Sequence, residues 1–358
     1  MDKNIALIYD GARALGLPVT YFPNINYLNI HLGRKHYYFC RTVTPINEGA
    51  SIFIAKNKFR LNKLLEGSGF PVPKAVALSA DNIAQQPLSE LIRGLQFPLV
   101  AKPMNETGRG YSVLCNINDI TVLAEQVDRV LKTHRYVQVE EFHQHLKEYR
   151  VLVLKNRVIG VVERFAASVI GDGEHSIEEL IEISNRERDK LARTLTISPL
   201  VIDEEYLLCL NEQNLSLQSI PSKGAEIRLC YTVNTGRGGD IFSHGKKIHP
   251  QNAKYLCDAA RVAGLAYVGF DVLCEDINLP FGQTKWLIIE ANFNPDLTIH
   301  EIPHRGKRVS VVKKILRQLI YRHPLSYVYH FGILASSSIY VKTIVSIGLL
   351  IFIIHYLI

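Results

Sequence analysis

Two short apolar segments late in the chain each carry an acidic residue where an apolar one would be expected. The first spans residues 267–273 and contains Asp271, and the second spans residues 286–295 and contains Glu290 and Asn292. Both are bounded by Gly, Pro and Asn, which predicts two short buried strands. An unpaired carboxylate is costly to bury, so a cation is the natural partner of these acids.

The type of cation follows from the ligand atoms. Asp271, Glu290 and Asn292 offer hard oxygen ligands, which suit Mg²⁺ held jointly with the phosphates of a substrate. Residues i and i+2 of a strand share a face, so Glu290 and Asn292 should point the same way. The alternative is that these residues are polar strand ends that cap loops, and the two segments alone leave both interpretations open.

Composition narrows the class of protein. A chain of 358 residues with 47% hydrophobic and 21% charged residues is typical of a globular protein with two or three lobes and a large core. The net charge of +7 is explained as well by acidic small substrates as by nucleic acid, and no nucleic-acid partner is expected. Six scattered cysteines without a CxxC pair indicate reduced thiols in a cytoplasmic protein, and no N-terminal signal peptide is visible.

A lysine and a glycine loop form a candidate anion site. Residues 97–103 predict a buried strand that delivers Lys102, and the loop after it contains Gly108, Arg109 and Gly110. Glycines allow backbone N–H groups to approach an anion closely, as in phosphate-binding nests. A Gly-x-Gly pair alone usually marks a turn, and the preceding strand lysine strengthens the phosphate interpretation.

Further charged residues lie at predicted strand ends. Residues 136–142 predict a strand ending in Glu140 and Glu141, and residues 148–164 predict a hairpin around 155–156. Arg150 and Arg164 lie at the ends of the hairpin strands, where each could face solvent or clamp an anion. The histidines at 143 and 145 could suggest a metal site, but loop histidines more often face solvent.

The remaining pattern predicts mostly helices. Helices are expected over residues 5–17, 58–67, 81–94, 117–133, 177–193, 253–263 and 309–321. Ser176 should cap the helix at 177 together with Glu179. Residues 194–221 are expected to be irregular, and they precede a strand with Arg228 and a second glycine loop that begins at Asn234.

The C-terminal segment differs from the rest of the chain. Residues 339–358 are almost wholly apolar, but the uninterrupted run from Thr343 has 16 residues, short of the roughly 20 that a spanning helix needs. Basic residues precede it, which the positive-inside rule would keep cytoplasmic. We expect residues from about 331 onward to tether the protein to the cytoplasmic face of a membrane. The rival expectation is a helix that packs on the rest of the protein or pairs two subunits.

The order of these motifs resembles the ATP-grasp ligases, and most of all the ATP-grasp domains of cyanophycin synthetase and of bifunctional glutathione synthetase. The resemblance covers about residues 56–320. As an ordered set it is specific, although each motif alone is weak. It is carried by Lys58, the Phe-Pro-Val-Pro at 70–73, Val-Ala-Lys-Pro at 100–103, Gly-Arg-Gly at 108–110, Glu-Tyr-Arg at 148–150, the segment 164–181, Asn185, Arg228, Asn234, the glycines at 238–239, His-Pro-Gln-Asn at 249–252, Asp271, Glu290 and Asn292.

The resemblance implies an α+β ATP-grasp fold, in which two α+β lobes clasp ATP. Its two lobes are expected at 56–145, which would bind the nucleotide, and at 146–325, which would bind metal and carry the catalytic residues. Outside them, we expect a small N-terminal lobe at 1–55 and an apolar tail at 326–358 that forms a C-terminal helix.

It also implies residue roles. Lys58 and Lys102 would contact the ATP phosphates, under the loop of Gly108, Arg109 and Gly110, while Glu140 or Glu141 with Phe142 would lie by the adenine and Glu148 would bind the ribose. Asp271, Glu290 and Asn292 would hold two Mg²⁺, with Mn²⁺ as an alternative. Arg228 and Asn234 would stabilise the reacting acyl group, and Arg150 and Arg164 would be further catalytic residues.

The implied activity is ATP-dependent ligation of a carboxylate to an amine through an acyl phosphate, releasing ADP and phosphate. The substrates would be amino acids or short peptides, and a homo-oligomer is left open. The alternative is a catalytically weak nucleotide-binding or scaffold protein at a membrane. The chain departs from the family pattern before Glu148, in the long spacing from Asp271 to Glu290, and after Asn292. It also lacks the Mur-ligase-like domain that follows in cyanophycin synthetase, so polymerisation of cyanophycin is not expected.

Overall fold

The computed structural model describes residues 1–104, 112–330 and 339–357. The chain begins with helix α1 (Lys3–Ala14) and a three-stranded antiparallel sheet of β1 (Val19–Phe22), β2 (Tyr27–Leu32) and β3 (Lys35–Cys40). Sequence reasoning missed β2. Its buried Asn29 interrupts the apolar pattern, and the structure accounts for it by a contact of 3.0 Å between Asn29 Nδ2 and His36 Nδ1. Two helices follow, α2 (Gly49–Ala55) and α3 (Lys58–Gly67).

A four-stranded antiparallel sheet comes next, with the order β4-β7-β5-β6. Its strands are β4 (Ala75–Leu78), β5 (Leu99–Pro103), β6 (Leu114–Ile117) and β7 (Val137–Glu141), and its helices are α4 (Ala80–Gln85), α5 (Leu88–Leu91) and α6 (Ile120–Leu131). The apolar face of α6 shares a buried cluster with the inner residues of the sheet.

The single helix expected over 81–94 is wrong. The chain forms α4 and α5 instead, and Gln86 between them is extended, with φ −142° and ψ 146°. Pro87 explains the break, because proline disfavours a helical conformation in the residue before it and cannot donate a backbone hydrogen bond.

The largest sheet has six strands in the order β14-β13-β8-β9-β12-β15. Neighbouring strands within this sheet are antiparallel, except for β12 and β15, which are parallel to each other. The strands are β8 (Lys147–Leu154), β9 (Arg157–Phe165), β12 (Asp240–Gly245), β13 (Tyr267–Cys274), β14 (Trp286–Asn292) and β15 (Arg305–Gly306); the accompanying helices are α9 (Pro250–Val262), α10 (Thr298–Glu301) and α11 (Val311–Arg322).

Both faces of this sheet are covered, as the alternation along β8 shows. Val151 and Val153 join a core formed with α3 and α9. Leu152 and Leu154 join another core, formed with α1, α11 and the N-terminal sheet. Successive residues of a strand face opposite sides, so one strand contributes to two cores. The N-terminal lobe is therefore fixed to the large sheet through a shared apolar interior.

A small unit is inserted between β9 and β12. It comprises the antiparallel pair β10 (Ser168–Ile170) and β11 (Glu226–Arg228), with α7 (Ile177–Leu191) and α8 (Glu204–Glu212), around its own buried cluster. Helix α8 corrects the expectation that residues 194–221 are irregular. It begins where the Asp203 side chain accepts a hydrogen bond from the backbone N–H of Tyr206, which satisfies a free donor of the first turn.

The C-terminal helices are α12 (Pro324–Val328) and α13 (Ile339–Leu357). Helix α12 contacts the N-terminal lobe, where Tyr327 Oη donates to the Leu15 carbonyl at 2.7 Å. Within the part of the chain that the structure describes, no helix is both long enough and apolar enough to cross a membrane.

The cap of α7 gives a test of local stability. The Ser176 hydroxyl accepts from the Glu179 N–H at 3.3 Å, and the Glu179 carboxylate accepts from the Ser176 N–H at 2.8 Å, which confirms the predicted cap. We expect Ser176→Ala to lower the free energy of unfolding by about 1 kcal/mol, measured by urea denaturation. The control Ser89→Ala alters an exposed serine inside α5 and should change stability by less than about 0.5 kcal/mol. Equal losses in both variants would contradict the role of the cap.

Candidate active site

A cavity of about 1230 Å³ lies between the four-stranded and six-stranded sheets. Residues from β5 and β7 line one side, and residues from β8, β9, β13 and β14 line the other. The structure brings 13 of the predicted site residues to this cavity, whereas Gly108, Arg109 and Gly110 lie outside the described residues. The 13 residues are Lys58, Lys102, Glu140, Glu141, Phe142, Glu148, Arg150, Arg164, Arg228, Asn234, Asp271, Glu290 and Asn292.

Lys102 is buried in β5 and pairs with Glu140 of the neighbouring strand β7. Burial opposes its charge, but the carboxylates of Glu140 and Glu290 outweigh burial, so the pKa of the Lys102 ammonium is raised. Gln138 Nε2 donates to the other oxygen of Glu140 at 2.6 Å. Lys102 is thus held as a cation at the cavity wall, with its carboxylate partner inside the same sheet.

Lys58 reaches the cavity from the first residue of α3. The N-cap Asn57 accepts from the Arg60 N–H at 2.9 Å, which sets the start of this helix. The Lys58 ammonium lies 3.6 Å from Glu290 Oε1, and its backbone N–H donates to the Met104 carbonyl at 3.4 Å. Lys58 therefore connects the strand of Lys102 with the acids of β14.

A buried network of two arginines and two acids lies across β8, β9 and β13. Arg150 and Asp271 are directly opposite each other, as are Glu148 and Arg164. Both Nε and Nη2 of Arg150 donate to Asp271, Nη2 at 3.0 Å. Arg164 Nη2 lies 2.9 Å from Asp271 Oδ2 and also contacts Glu148. The arginines are thus bound to acids of the sheet.

Burial and pairing act differently on the two acids. Burial favours the neutral form of Asp271, but the two guanidinium groups outweigh it and lower the pKa of this carboxyl. For Glu148 burial is the larger effect, and the pKa of its carboxyl is raised despite Arg164. Asp271 is therefore the firmly ionised member of the network.

The three predicted metal ligands lie together. Asp271 and Glu290 are directly opposite each other on β13 and β14, and the side-chain amide of Asn292 lies 3.5 Å from Asp271 Oδ2. In the orientation that satisfies its neighbours, with the amide nitrogen and oxygen exchanged, Asn292 donates to Glu290 Oε1 at 3.3 Å and accepts from Arg150 Nη2 at 3.2 Å. Two carboxylates and an amide oxygen fit a hard divalent cation. Asp271 would share its oxygens between such a cation and the arginines.

His143 and His145 line the same cavity. Among the residues for which the structure gives positions, no group of three His, Cys, Asp or Glu side chains is arranged to hold a metal ion. The cysteines in this part of the chain are free thiols. The metal interpretation of His143 and His145 is therefore not borne out in the described part of the chain.

Arg228 and Asn234 reach the cavity from the inserted unit. The Arg228 guanidinium lies 4.3 Å from the centre of the Tyr231 ring, and its Nη2 lies 3.2 Å from Tyr231 Oη. Asn234 Oδ1 accepts from the Gly236 N–H at 2.8 Å and begins a short turn. Gly239 lies where an added Cβ would come within 2.6 Å of the Phe165 carbonyl oxygen, so this loop needs glycine to pack on β9.

Sequence reasoning missed part of the wall. The N-terminal lobe lines the cavity with residues 2–4 and 40–43. Asn4 Oδ1 accepts from the Leu297 N–H at 2.9 Å, and Asn47 Nδ2 donates to the carbonyls of Tyr267 at 2.6 Å and Phe293 at 3.2 Å. These are long-range contacts that no local pattern indicates.

The network around Asp271 predicts a large stability effect. Asp271→Asn would leave Arg150 and Arg164 buried with one carboxylate fewer, and we expect the free energy of unfolding to fall by about 3–5 kcal/mol. Asp258→Asn is the matched control, because Asp258 pairs with Arg261 on the surface and such pairs contribute about 0–1 kcal/mol. Urea denaturation of both variants measures the difference. A loss at Asp271 no larger than that at Asp258 would contradict the pairing.

Comparison with known proteins follows the same motifs. Residues 55–195 match the model of the RimK-like ATP-grasp domain. Cyanophycin synthetase of Crocosphaera subtropica is 30% identical over 273 residues, which is 75% of this chain and 31% of that protein. The glutathione biosynthesis bifunctional protein GshAB of Mannheimia succiniciproducens is 28% identical over 306 residues, 83% of this chain and 39% of that one. The chain thus spans a third to two fifths of the length of these relatives.

A solved structure agrees at the level of the fold. The bifunctional glutathione synthetase from Pasteurella multocida superimposes with a TM-score of 0.61 at 24% identity, covering 90% of this chain and 44% of that one. The resemblance inferred from the ordered motifs and the α+β ATP-grasp fold are both confirmed. Residues 55–195 are a RimK-like ATP-grasp domain, in a chain homologous to cyanophycin synthetase and GshAB and structurally close to bifunctional glutathione synthetase.

Proposed function

We propose that this protein is an ATP-dependent carboxylate–amine ligase, which forms an amide or peptide bond through an acyl phosphate and releases ADP and phosphate. One observation carries the proposal: Lys102 from one sheet and Asp271 and Glu290 from the other line the same cavity. These residues are far apart in sequence, yet a triphosphate with its divalent cations requires both sets at one place. The homology to two ATP-grasp synthetases supports the same activity.

The proposed chemistry requires positioning and charge neutralisation more than covalent participation of the protein. A substrate carboxylate attacks the terminal phosphorus of ATP, and ADP leaves. The amine then attacks the acyl carbon, the C–N bond forms and phosphate leaves. Lys102 and Lys58 would bind the phosphates. The raised pKa of the Lys102 ammonium keeps its charge at neutral pH.

The acids and amide of β13 and β14 would hold the divalent cations. Asp271, Glu290 and Asn292 are the proposed ligands of two Mg²⁺, or of Mn²⁺, and such cations supply charge neutralisation at the transferred phosphoryl group. Glu290 is the most accessible acid of the set, with its side chain 31% exposed. Its present partner is the Lys58 ammonium, so binding of a cation would free Lys58 for phosphate.

The arginines and the loop of Asn234 would act on the acyl group. Arg228 and Asn234 enter from the inserted unit and would stabilise the acyl phosphate and the tetrahedral intermediate. Arg150 and Arg164 already engage Asp271, so their proposed catalytic role includes fixing this ligand. The direct anion contact expected of them would require a guanidinium edge that Asp271 and Glu148 do not occupy.

We propose nucleotide contacts at the end of β7. Glu141 Oε1 accepts from the Gln96 N–H at 3.2 Å, and the Phe142 ring meets Tyr231 edge-on at 5.4 Å. Both lie at the end of β7, and we propose that they flank the adenine. Glu140 is engaged with Lys102, and Glu148 with Arg164, so an adenine or ribose role for them would require a change of partner. Gly108, Arg109 and Gly110 would close over the phosphates.

We propose that the two larger sheets belong to separate lobes. The four-stranded sheet lies within residues 75–141 and the six-stranded sheet within 147–306, which supports nucleotide and catalytic lobes at 56–145 and 146–325. Residues 1–55 would form the small N-terminal lobe, whose apolar core also contains residues of α11. The tail would be 326–358.

Turnover tests the proposal. Purified protein with ATP and Mg²⁺ is incubated with pairs of amino acids and short peptides, phosphate release is recorded, and products are identified by mass spectrometry. We expect ADP, phosphate and an amide product in equal amounts for at least one pair. Glu290→Gln should lower phosphate release by about 100-fold or more, because a neutral amide cannot balance two cations.

The control is Glu66→Gln, an exposed acid that pairs with Lys63 on the surface of α3. It should release phosphate at the unaltered rate. Substrate-independent ATP hydrolysis without an amide product, or normal turnover by Glu290→Gln, would contradict the ligase proposal.

A tether to the membrane is a second, separate proposal for the tail. Several apolar residues of α13 are exposed, among them Ile344 at 69% and Ile351 at 60%. Basic α11 precedes it in the chain, and each basic residue near anionic lipid adds about 1 kcal/mol of attraction. The same face could instead cover another protein surface, including a second copy of this chain.

Truncation before residue 331 distinguishes a membrane tether from packing of α13 on protein. A tether predicts that the full chain sediments with membranes and that the truncated chain is soluble and retains phosphate release. A full chain that is soluble without detergent and loses activity or stability on truncation would contradict the tether. Sedimentation in the absence of lipid distinguishes self-association.

A further inference from the structure

Glu205 is a largely buried acid behind the cavity wall that the proposed chemistry does not use. It lies in the first turn of α8, and its side chain is 10% exposed. Its Oε1 accepts from the backbone N–H of Tyr231 at 3.3 Å and of Thr232 at 3.2 Å, and from Thr232 Oγ1 at 2.9 Å. Its Oε2 accepts from Arg237 Nη2 at 2.8 Å. One carboxylate therefore joins four donors of a single loop.

This loop carries the residues that the proposed function assigns to the acyl group. Tyr231 to Asn234 line the cavity, and Arg228 precedes them. The far end of the loop is held from the same helix, because Arg237 pairs with Asp203 and the Tyr206 hydroxyl donates to the Arg237 carbonyl at 2.9 Å. The first turn of α8 thus fixes both ends of the loop.

The other side of α8 contacts the lobe that carries Lys102. Glu204 accepts from Arg129 of α6 in a bidentate pair, at 2.5 Å from Nη1 and 3.1 Å from Nη2. At the end of α8, Glu212 Oε2 accepts from Asn116 Nδ2 at 3.1 Å and from Tyr231 Oη at 2.6 Å. Helix α8 is therefore bound to the four-stranded sheet and its helix at two points.

We infer that α8 couples the two sides of the cavity: Glu205 positions the loop of Tyr231–Asn234, and Glu204 and Glu212 fasten the same helix to the lobe that holds Lys102. Glu204 contacts α6 and the adjacent Glu205 contacts the loop, so a movement of the lobe that contains α6 shifts the carboxylate that accepts from the loop. Glu205 is a positioning residue, since it touches the loop and not the cavity. The inference rests on the proposed function only where it assigns the loop to the acyl group.

Amide exchange and kinetics test the role of Glu205. In Glu205→Gln, amide hydrogens of residues 229–235 should exchange about tenfold faster, kcat should fall about tenfold, and the KM for ATP should change less than about threefold. Thr232→Val removes one donor to Glu205 without altering α8, and Thr232→Ser keeps the hydroxyl. We expect Thr232→Val to show the faster exchange and the lower kcat, and Thr232→Ser to behave like the unaltered protein. Unchanged exchange in Glu205→Gln, or equal effects of the two Thr232 variants, would overturn the positioning role.

A charge exchange tests the coupling. Arg129→Glu and Glu204→Arg should each lower the protection that ADP with Mg²⁺ confers on residues 229–235, by up to about fivefold for an exposed ion pair, and the double variant should restore it. Failure of the double variant to restore protection, or unaltered protection in the single variants, would overturn the coupling. These readouts need no acid or amine substrate. An absence of amide product in the wild-type protein would therefore refute the ligase proposal while the exchange data still decide the coupling.

Discussion

The ionised carboxylate of Asp271 is the constraint on which the site depends. It is 2% exposed, and it stays charged because Arg150 and Arg164 surround it. Two guanidinium groups can reach one carboxylate only if β13, β8 and β9 are neighbours in the observed register. A slip of one residue would turn each of these side chains to the opposite face. The apolar cores and the charged network therefore specify the same register of the sheet.

The charged side chains of the cavity form ion pairs with one another. Lys102 is paired with Glu140, Lys58 with Glu290, and Arg164 with both Glu148 and Asp271. Burial of unpaired charges would cost several kcal/mol each, so these pairs allow the cavity to form without a ligand. Under the proposed function, a bound polyphosphate with its cations would offer each lysine and each acid a new partner of opposite charge. The exchange of partners keeps the charge balanced, which is why a site of this kind can be charged and still pre-formed.

The sequence predicted those parts of the site that lie on strands. Lys102, Asp271 and Glu290 interrupt apolar runs, and a charge in a buried strand is visible without any knowledge of contacts. The hairpin of β8 and β9 and the cap of α7 also followed from local pattern. Helix α8 did not, because its nine residues are too few to show a clear helical period, and its role depends on Glu205 contacting a loop 26 residues later. The split of the helix at Pro87 was readable from the sequence, since the proline was present in the pattern.

The contribution of residues 1–55 lies beyond any local pattern, for a physical reason. Asn4 and Asn47 bond to backbone groups of residues 267, 293 and 297, which belong to the strand of Asp271 and to the segment that follows Asn292. An asparagine amide that satisfies distant backbone groups looks like any polar residue in its own segment. Because buried backbone groups must find partners, the chain after β14 can leave the sheet only where the N-terminal lobe supplies them. The lobe thereby determines the course of the backbone behind Asn292 and, with residues 40–43, the shape of the cavity on that side.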